Sequence, residues 1–208
     1  MDIVNPSIAD YLLNVVPERD AILQDMERLA LERNFPIIGP LVGRTLFVLA
    51  QSVQAKRILE LGSGYGYSAY WFAKAIGKDG TVVCTDSDPE NVARAKEYFQ
   101  RGKMAPRLDF RLGNALKTID TLDGQFDVIF NDLDKHQYPK ALRKALPRLR
   151  KGGLLISDNV LWGGKILDKK PDADTAGILT FNRLIFSSKE LFTTILPLRD
   201  GISVSIKL

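Results

Sequence analysis

Arg57-Ile58-Leu59-Glu60-Leu61-Gly62-Ser63-Gly64-Tyr65-Gly66 is a short apolar run that passes directly into a glycine-rich turn. Five residues of this kind read as a buried strand, and a helix is expected from about Tyr67. The pattern repeats downstream. Thr81–Thr85 is a second strand, and Asp88-Pro89 opens the next helix with an N-cap and a proline at its first position. Leu108–Arg111 and Phe126–Phe130 are further strands. A helix follows to about Leu149, Lys151-Gly152-Gly153 is expected to close it, and Leu154–Ser157 is a fifth strand. Alternation of this sort predicts an α/β fold, a largely parallel sheet with helices on both faces. The tail breaks the pattern. After a helix near Thr175–Phe186, strands Leu191–Leu196 and Ile202–Ile206 are separated only by Pro197–Gly201, too few residues for a crossover helix. They must form an antiparallel hairpin with Asp200-Gly201 in its turn, making seven strands in all.

Upstream of residue 57 the pattern is helical. Ile8 to about Asn34 is interrupted by Pro17, Pro36 and Pro40 end the helical run that follows, and another helix is expected from Leu41 to Gln51. A single domain over 1–208 is expected, with a helical segment at 1–52 and the alternating core at 57–208. The 208 residues are 45% hydrophobic and 26% charged, ordinary for a globular chain with a proper core. No apolar run reaches the length of a bilayer span, and Met1–Asn14 lacks the pattern of a secretory signal. One cysteine, Cys84, excludes an internal disulfide and a cysteine-based zinc site; a cytoplasmic location is the expectation. The net charge of +4 permits a polyanionic partner without requiring one.

Chemistry is expected at the carboxyl ends of the strands, where open α/β sheets bind ligands. The Gly62, Gly64, Gly66 spacing is tighter than the turn that cradles a pyrophosphate, and serves either a ligand or a tight packing turn. Asp86 ends the second strand, where a carboxylate can accept both hydroxyls of a ribose. Gly113-Asn114-Ala115 follows the third strand, near an expected adenine. Asp132 ends the fourth strand and Asp158-Asn159 the fifth. Two carboxylates and an amide oxygen on adjacent strand ends suit a hard divalent cation, Mg²⁺ first, with Mn²⁺ or Ca²⁺ as alternatives. Lys135 lies close by. A free lysine is a poor base at neutral pH, and a neighbouring dication would help it shed its proton.

Ile58–Ser68 (ILELGSGYGYS), Phe126–Tyr138 (FDVIFNDLDKHQY) and Ser157–Gly163 (SDNVLWG) together resemble the cation-dependent O-methyltransferases, which include catechol and caffeoyl-CoA O-methyltransferases. The similarity runs from about Ile8 to the terminal hairpin. It implies a Rossmann-like fold that binds S-adenosylmethionine (SAM), and methyl transfer to a catechol-like phenolic hydroxyl. By resemblance, Asp132, Asp158 and Asn159 are the metal ligands, and Lys135 is the general base. Ile38, Glu60, Gly62, Ser63, Gly64, Gly66, Ser68, Asp86, Ala115 and Asp132 lie at the SAM site, and Trp162 borders the substrate. A homodimer is also implied.

Two positions depart from the pattern. Asn131 replaces an apolar residue and Leu133 a small one, so the metal loop is expected to pack differently. The chain is shorter than the plant enzymes, and the insertion that shapes their substrate choice is reduced or absent. The alternative acceptor is a hydroxylated wobble uridine of tRNA, compatible with the basic charge balance. A nicotinamide dehydrogenase or a non-catalytic nucleotide-binding module is more remote. His136, the only histidine, reads as either a surface residue or a supporting group; Asp134 as a loop acid; Tyr138 as a loop anchor or a packing residue; Arg143, Lys144, Arg148, Arg150 and Lys151 as a solvated helix face.

Overall fold

Neighbouring residues of the central strands point to opposite sides of the sheet, and both sides are apolar, so each strand reads as a continuous hydrophobic run. The computed structural model describes residues 2–208. Among them, β1 (Arg57–Leu61), β2 (Thr81–Asp86), β3 (Leu108–Leu112), β4 (Phe126–Asn131), β5 (Leu149–Ser157), β6 (Leu191–Leu196) and β7 (Ile202–Lys207) form one sheet in the order β3-β2-β1-β4-β5-β7-β6. The first five run parallel, and β7 pairs antiparallel with both β5 and β6. The predicted parallel sheet with a terminal antiparallel hairpin is therefore observed.

On one face, Ile58, Val82, Val128 and Ile156 pack against α2 (Ala21–Arg33), α3 (Gly39–Ser52), α4 (Tyr67–Ala75) and α5 (Pro89–Arg101). On the other, Leu59, Val83, Ile129 and Leu155 pack against α6 (Ala115–Thr118), α7 (Tyr138–Arg148) and α8 (Ala173–Ser187). Leu59 is fully buried; truncating such a leucine to alanine costs about 2–5 kcal/mol. The N-terminal α1 (Pro6–Val15) differs, since it buries no residue. The Asp88 cap is present, its carboxylate accepting from the Glu90 amide at 2.8 Å with Pro89 in the first turn.

The boundary near residue 150 is a correction. α7 ends at Arg148, and Lys151-Gly152-Gly153 lies inside β5 rather than closing a helix. Phe126 pairs with Leu149, yet Val128 pairs with Leu154, so the residues between bulge out of the ladder. Gly152 takes φ +71° there. A glycine in the left-handed region serves a bulge as well as a helix end, and the two share one sequence signature. A second difference follows β4, where a 3-10 turn at Lys135–Gln137 precedes α7.

The strand order reverses between β1 and β4, since β1 connects onward to β2 on one side while β4 lies on the other. Open sheets bind ligands beside such a reversal, outside the carboxyl ends of the strands.

Candidate active site

A cavity of about 680 Å³ occupies that position. Its wall includes Ile38, Gly62, Ser63, Gly64, Ser68, Asp86, Ala115, Asp132, Lys135, Asp158, Asn159 and Trp162. Two of the anticipated residues, Glu60 and Gly66, are not on the wall. Glu60 is fully buried beneath it, and Gly66 sits at the N-cap of α4 with φ +87°.

The glycine turn is tied to β2. The Gly62 amide donates to Thr85 Oγ1 at 3.2 Å and the Gly64 amide to Asp86 Oδ2 at 2.9 Å. Asp86 Oδ1 accepts from the Asp88 amide at 2.8 Å and from Asn91 Nδ2 at 3.3 Å. The carboxylate is thus held in one orientation at the lip of the cavity. Glycine at position 62 is required by contact as well as by its φ of +84°, because an added Cβ would lie 2.5 Å from the Asp132 carbonyl oxygen. Under the turn, Ser68 Oγ donates to Glu60 Oε1, and Cys84 Sγ lies 3.7 Å from Oε2. Burial pushes the Glu60 carboxyl up to about 8, against the opposing pull of its hydrogen bonds from Ser68 and Ser63.

The carboxylate end is built differently. Asp158 is 1% exposed. Its desolvation, followed by the nearby Asp132 charge, pushes it up from the usual carboxylate range, and the Arg199 guanidinium opposes them. Arg199 Nη1 donates to Asp158 Oδ2 at 3.2 Å. Lys135, 9% exposed, donates from Nζ to Asp132 Oδ1 at 2.9 Å and to the Leu133 carbonyl at 3.1 Å. Asn159 adopts φ +56° and gives its Nδ2 to Asp200 Oδ2 at 3.3 Å, which leaves the amide oxygen as the atom available to a cation. No group of three His, Cys, Asp or Glu among the described residues is placed to hold a metal ion. A cation here depends on the Asn159 amide as its third donor. The donor chemistry fits a hard divalent ion: oxygen atoms only, and one buried and one partly buried acid whose repulsion a dication would relieve.

Tyr138, fully buried, anchors this end. Its hydroxyl donates to the Asp158 carbonyl at 3.0 Å while its ring packs on Phe181 with centroids 5.3 Å apart. The Trp162 ring centroid is 5.6 Å from Lys135 Nζ. α8 braces the 3-10 turn that carries Lys135. Gly177 permits this approach, since an added Cβ would lie 2.5 Å from the Lys135 carbonyl oxygen. His136 is a half-exposed surface residue whose backbone amide and Nδ1 both meet Asp174 Oδ1 at 2.9 Å, pinning that turn to α8. Asn131 lies beneath the site, with Nδ2 3.5 Å from Ser157 Oγ. The basic stretch is partly neutralised, Lys144 pairing with Asp120 and Arg150 with Asp127.

Arg199, Asp200, Thr85 and Phe35 belong to this site and were not anticipated. The only sequence signal for the first two is their place in the hairpin turn. Because β7 is antiparallel, that turn returns to the carboxyl edge of the parallel strands, where the Leu161 amide bonds to the Asp200 carbonyl at 3.0 Å.

Comparison with known proteins identifies the family. The O-methyltransferase family profile matches residues 16–208. A catechol O-methyltransferase of Niastella koreensis is 35% identical over 96% of both chains. The crystal structure of an O-methyltransferase from Bacillus cereus with S-adenosylhomocysteine superposes with a TM-score of 0.89 at 28% identity, covering 97% of each chain. One from Streptomyces achromogenes, involved in tomaymycin synthesis and solved with SAM, gives 0.89 at 27% identity over 97% of this chain and 96% of that one. The resemblance carried by the three sequence motifs is thereby borne out: the chain belongs to the SAM-dependent O-methyltransferase family that includes the catechol O-methyltransferases.

Proposed function

We propose that this enzyme transfers the SAM methyl group to one hydroxyl of a vicinal aromatic diol, assisted by a divalent cation, Mg²⁺ first, held by Asp132, Asp158 and Asn159. The observation that carries the reading is Asp158: an acid with 1% exposure, facing a second acid, with Arg199 as its hydrogen-bonded counterion. Isolated buried charges are costly, and such a pair is retained where a cation joins it. When bound, the cation would supply Lewis acidity and open positions for two adjacent oxygens.

The remaining work falls to side chains. Asp86, fixed by the Gly64 and Asp88 amides, accepts the ribose hydroxyls of SAM. Ser63 and Ser68, backed by the buried Glu60 carboxyl, receive its amino-acid end, and Ile38 and Ala115 border the rest. The attacking hydroxyl releases its proton to Lys135 Nζ in its neutral amine form, which a bound dication would favour, its oxygen forms the new bond to the methyl carbon, and the carbon–sulfur bond breaks to leave S-adenosylhomocysteine. Trp162 walls off water beside that oxygen, which strengthens every charge interaction in the crevice. Positioning of the two reactants supplies much of the acceleration. A homodimer, as the family resemblance implies, is the proposed assembly.

The test is calorimetric and kinetic together. Asp158→Ala is expected to keep SAM binding and lose methyl transfer to a catechol, and excess EDTA is expected to silence the unaltered enzyme. Full turnover in EDTA would remove the cation from the mechanism. A tRNA acceptor is the weaker reading, because Lys144 and Arg150 are already paired with acids.

A further inference from the structure

A second cavity, of about 440 Å³, adjoins the first. Ile38, Arg199 and Asp200 line both. Arg199 is the junction: its guanidinium reaches Asp158 on one side, and its backbone holds φ +54°, a left-handed conformation costly for a residue with a side chain. Beyond it the chemistry changes. Ala9, Leu12 and Leu13 of α1, Val42 of α3 and Leu198 of the hairpin supply an apolar wall. The helix α1 has an apolar composition, Pro-Ser-Ile-Ala-Asp-Tyr-Leu-Leu-Asn-Val, yet among the described residues none of it is more than partly buried, Ala9 and Leu12 included. Helices this apolar ordinarily bury one face. The volume lies within the range of small-molecule sites.

We propose that this cavity receives the apolar substituent of the methyl acceptor, so that the substrate class is a vicinal aromatic diol bearing an alkyl or alkenyl chain. The inference rests on the functional reading above only in seating the diol at Asp132, Asp158 and Asn159. Polarity supports it: acids and cations surround the proposed reaction centre, and aliphatic side chains form most of the lining beyond Arg199, with Asp2 and Asp200 as its acids. An amphiphile with its polar head in the crevice and its chain under α1 satisfies both. It would also cover the inner face of α1, whose Ala9 and Leu12 are only partly buried by the described residues.

Burying one methylene is worth about 0.8 kcal/mol, or roughly fourfold in affinity. Calorimetry with phenol and 4-n-butylphenol probes the cavity without chelation or turnover. The butyl compound is expected to bind roughly a hundredfold tighter. Ala9→Trp, which fills the space, and Leu12→Gln, which makes its wall polar, are each expected to erase most of that difference. In turnover with Mg²⁺ and SAM, the kcat/KM ratio of 4-n-butylcatechol to catechol is expected to fall towards one in both variants. Equal binding of the two phenols, or a chain-length preference that both variants leave intact, overturns the assignment. So does light scattering that reports a dimer together with absent butylphenol binding, since a second copy then fills the space. Chain-dependent phenol binding without turnover of either diol would instead fail the functional reading and leave the cavity assignment standing.

Discussion

The two ends of the crevice are held together in different ways. At the glycine-turn end, polar groups are tied to one another by short-range bonds: Gly62 to Thr85, Gly64 to Asp86, Ser68 to Glu60. At the carboxylate end, acids are held by cationic side chains, Asp158 by Arg199 and Asp132 by Lys135. The first end is shaped before any ligand arrives. The second carries charges whose partners a bound ion would replace. Under the proposed function, the contrast makes SAM recognition a property of backbone geometry and activation of the acceptor a property of charge balance. Each can therefore be damaged separately.

The sharpest break is expected from Asp158→Ala. Losing several kcal/mol of charge stabilisation lowers kcat/KM by roughly a thousandfold at 1.36 kcal/mol per decade. The SAM dissociation constant from calorimetry should change by less than about threefold, under 0.7 kcal/mol on the same scale. A comparable loss of SAM affinity would mean the two ends are one unit. The reciprocal variant, Asp86→Ala, removes a charged acceptor of hydrogen bonds worth about 1.5–3 kcal/mol. SAM affinity is expected to fall roughly tenfold to a hundredfold, with Mn²⁺ binding, followed by its paramagnetic resonance signal, preserved.

Gly177→Ala tests the brace behind Lys135. The intruding Cβ meets backbone atoms, so relief requires α8 or the 3-10 turn to shift. Overpacking of this kind costs about 1–3 kcal/mol. The melting temperature should drop, and kcat should fall more than the KM for SAM. Unchanged kcat in a destabilised protein would show that the position of Lys135 is not set by α8.

The remaining effect is a slope. Glu60 holds its proton to about 8 in the folded protein, whereas an unfolded glutamate releases it near 4.3. Between those values the native state binds more protons than the unfolded one, so stability falls as pH rises from about 4.3 to 8. Below that window both states are protonated and the penalty vanishes. Glu60→Gln should flatten this part of the melting-temperature profile. SAM brings an ammonium group to the same end, so its binding should release a proton at pH 7, read as a dependence of calorimetric heat on buffer ionisation enthalpy. Absence of that dependence would separate Glu60 from the amino-acid end of SAM.

Much of this architecture is legible in the chain because its signals are local. Ile58-Leu59-Glu60-Leu61 followed by glycines, the Asp88-Pro89 helix start, and the short spacing between β6 and β7 each depend on neighbours a few residues apart. Asp132 and Asp158-Asn159 are legible because they follow apolar strands. Lys151-Gly152-Gly153 misleads, since φ +71° at Gly152 suits a strand bulge as well as a helix stop. Arg199 and the apolar cavity are invisible at that level. Their significance arises only when a turn near the end of the chain meets Asp158 from the fifth strand and α1 from the beginning.

The antiparallel course of β7 has one more outcome. A parallel last strand would need a crossover element before it, and its own beginning would lie far from the reactive edge. Reversal instead delivers a five-residue loop, Pro197–Gly201, beside the two acids while the five parallel strands keep their pairing. On the proposed function, exchanges in that loop would retune which acceptor is welcomed without disturbing the scaffold, so diversification of substrate and preservation of fold would fall to separate stretches of one polypeptide.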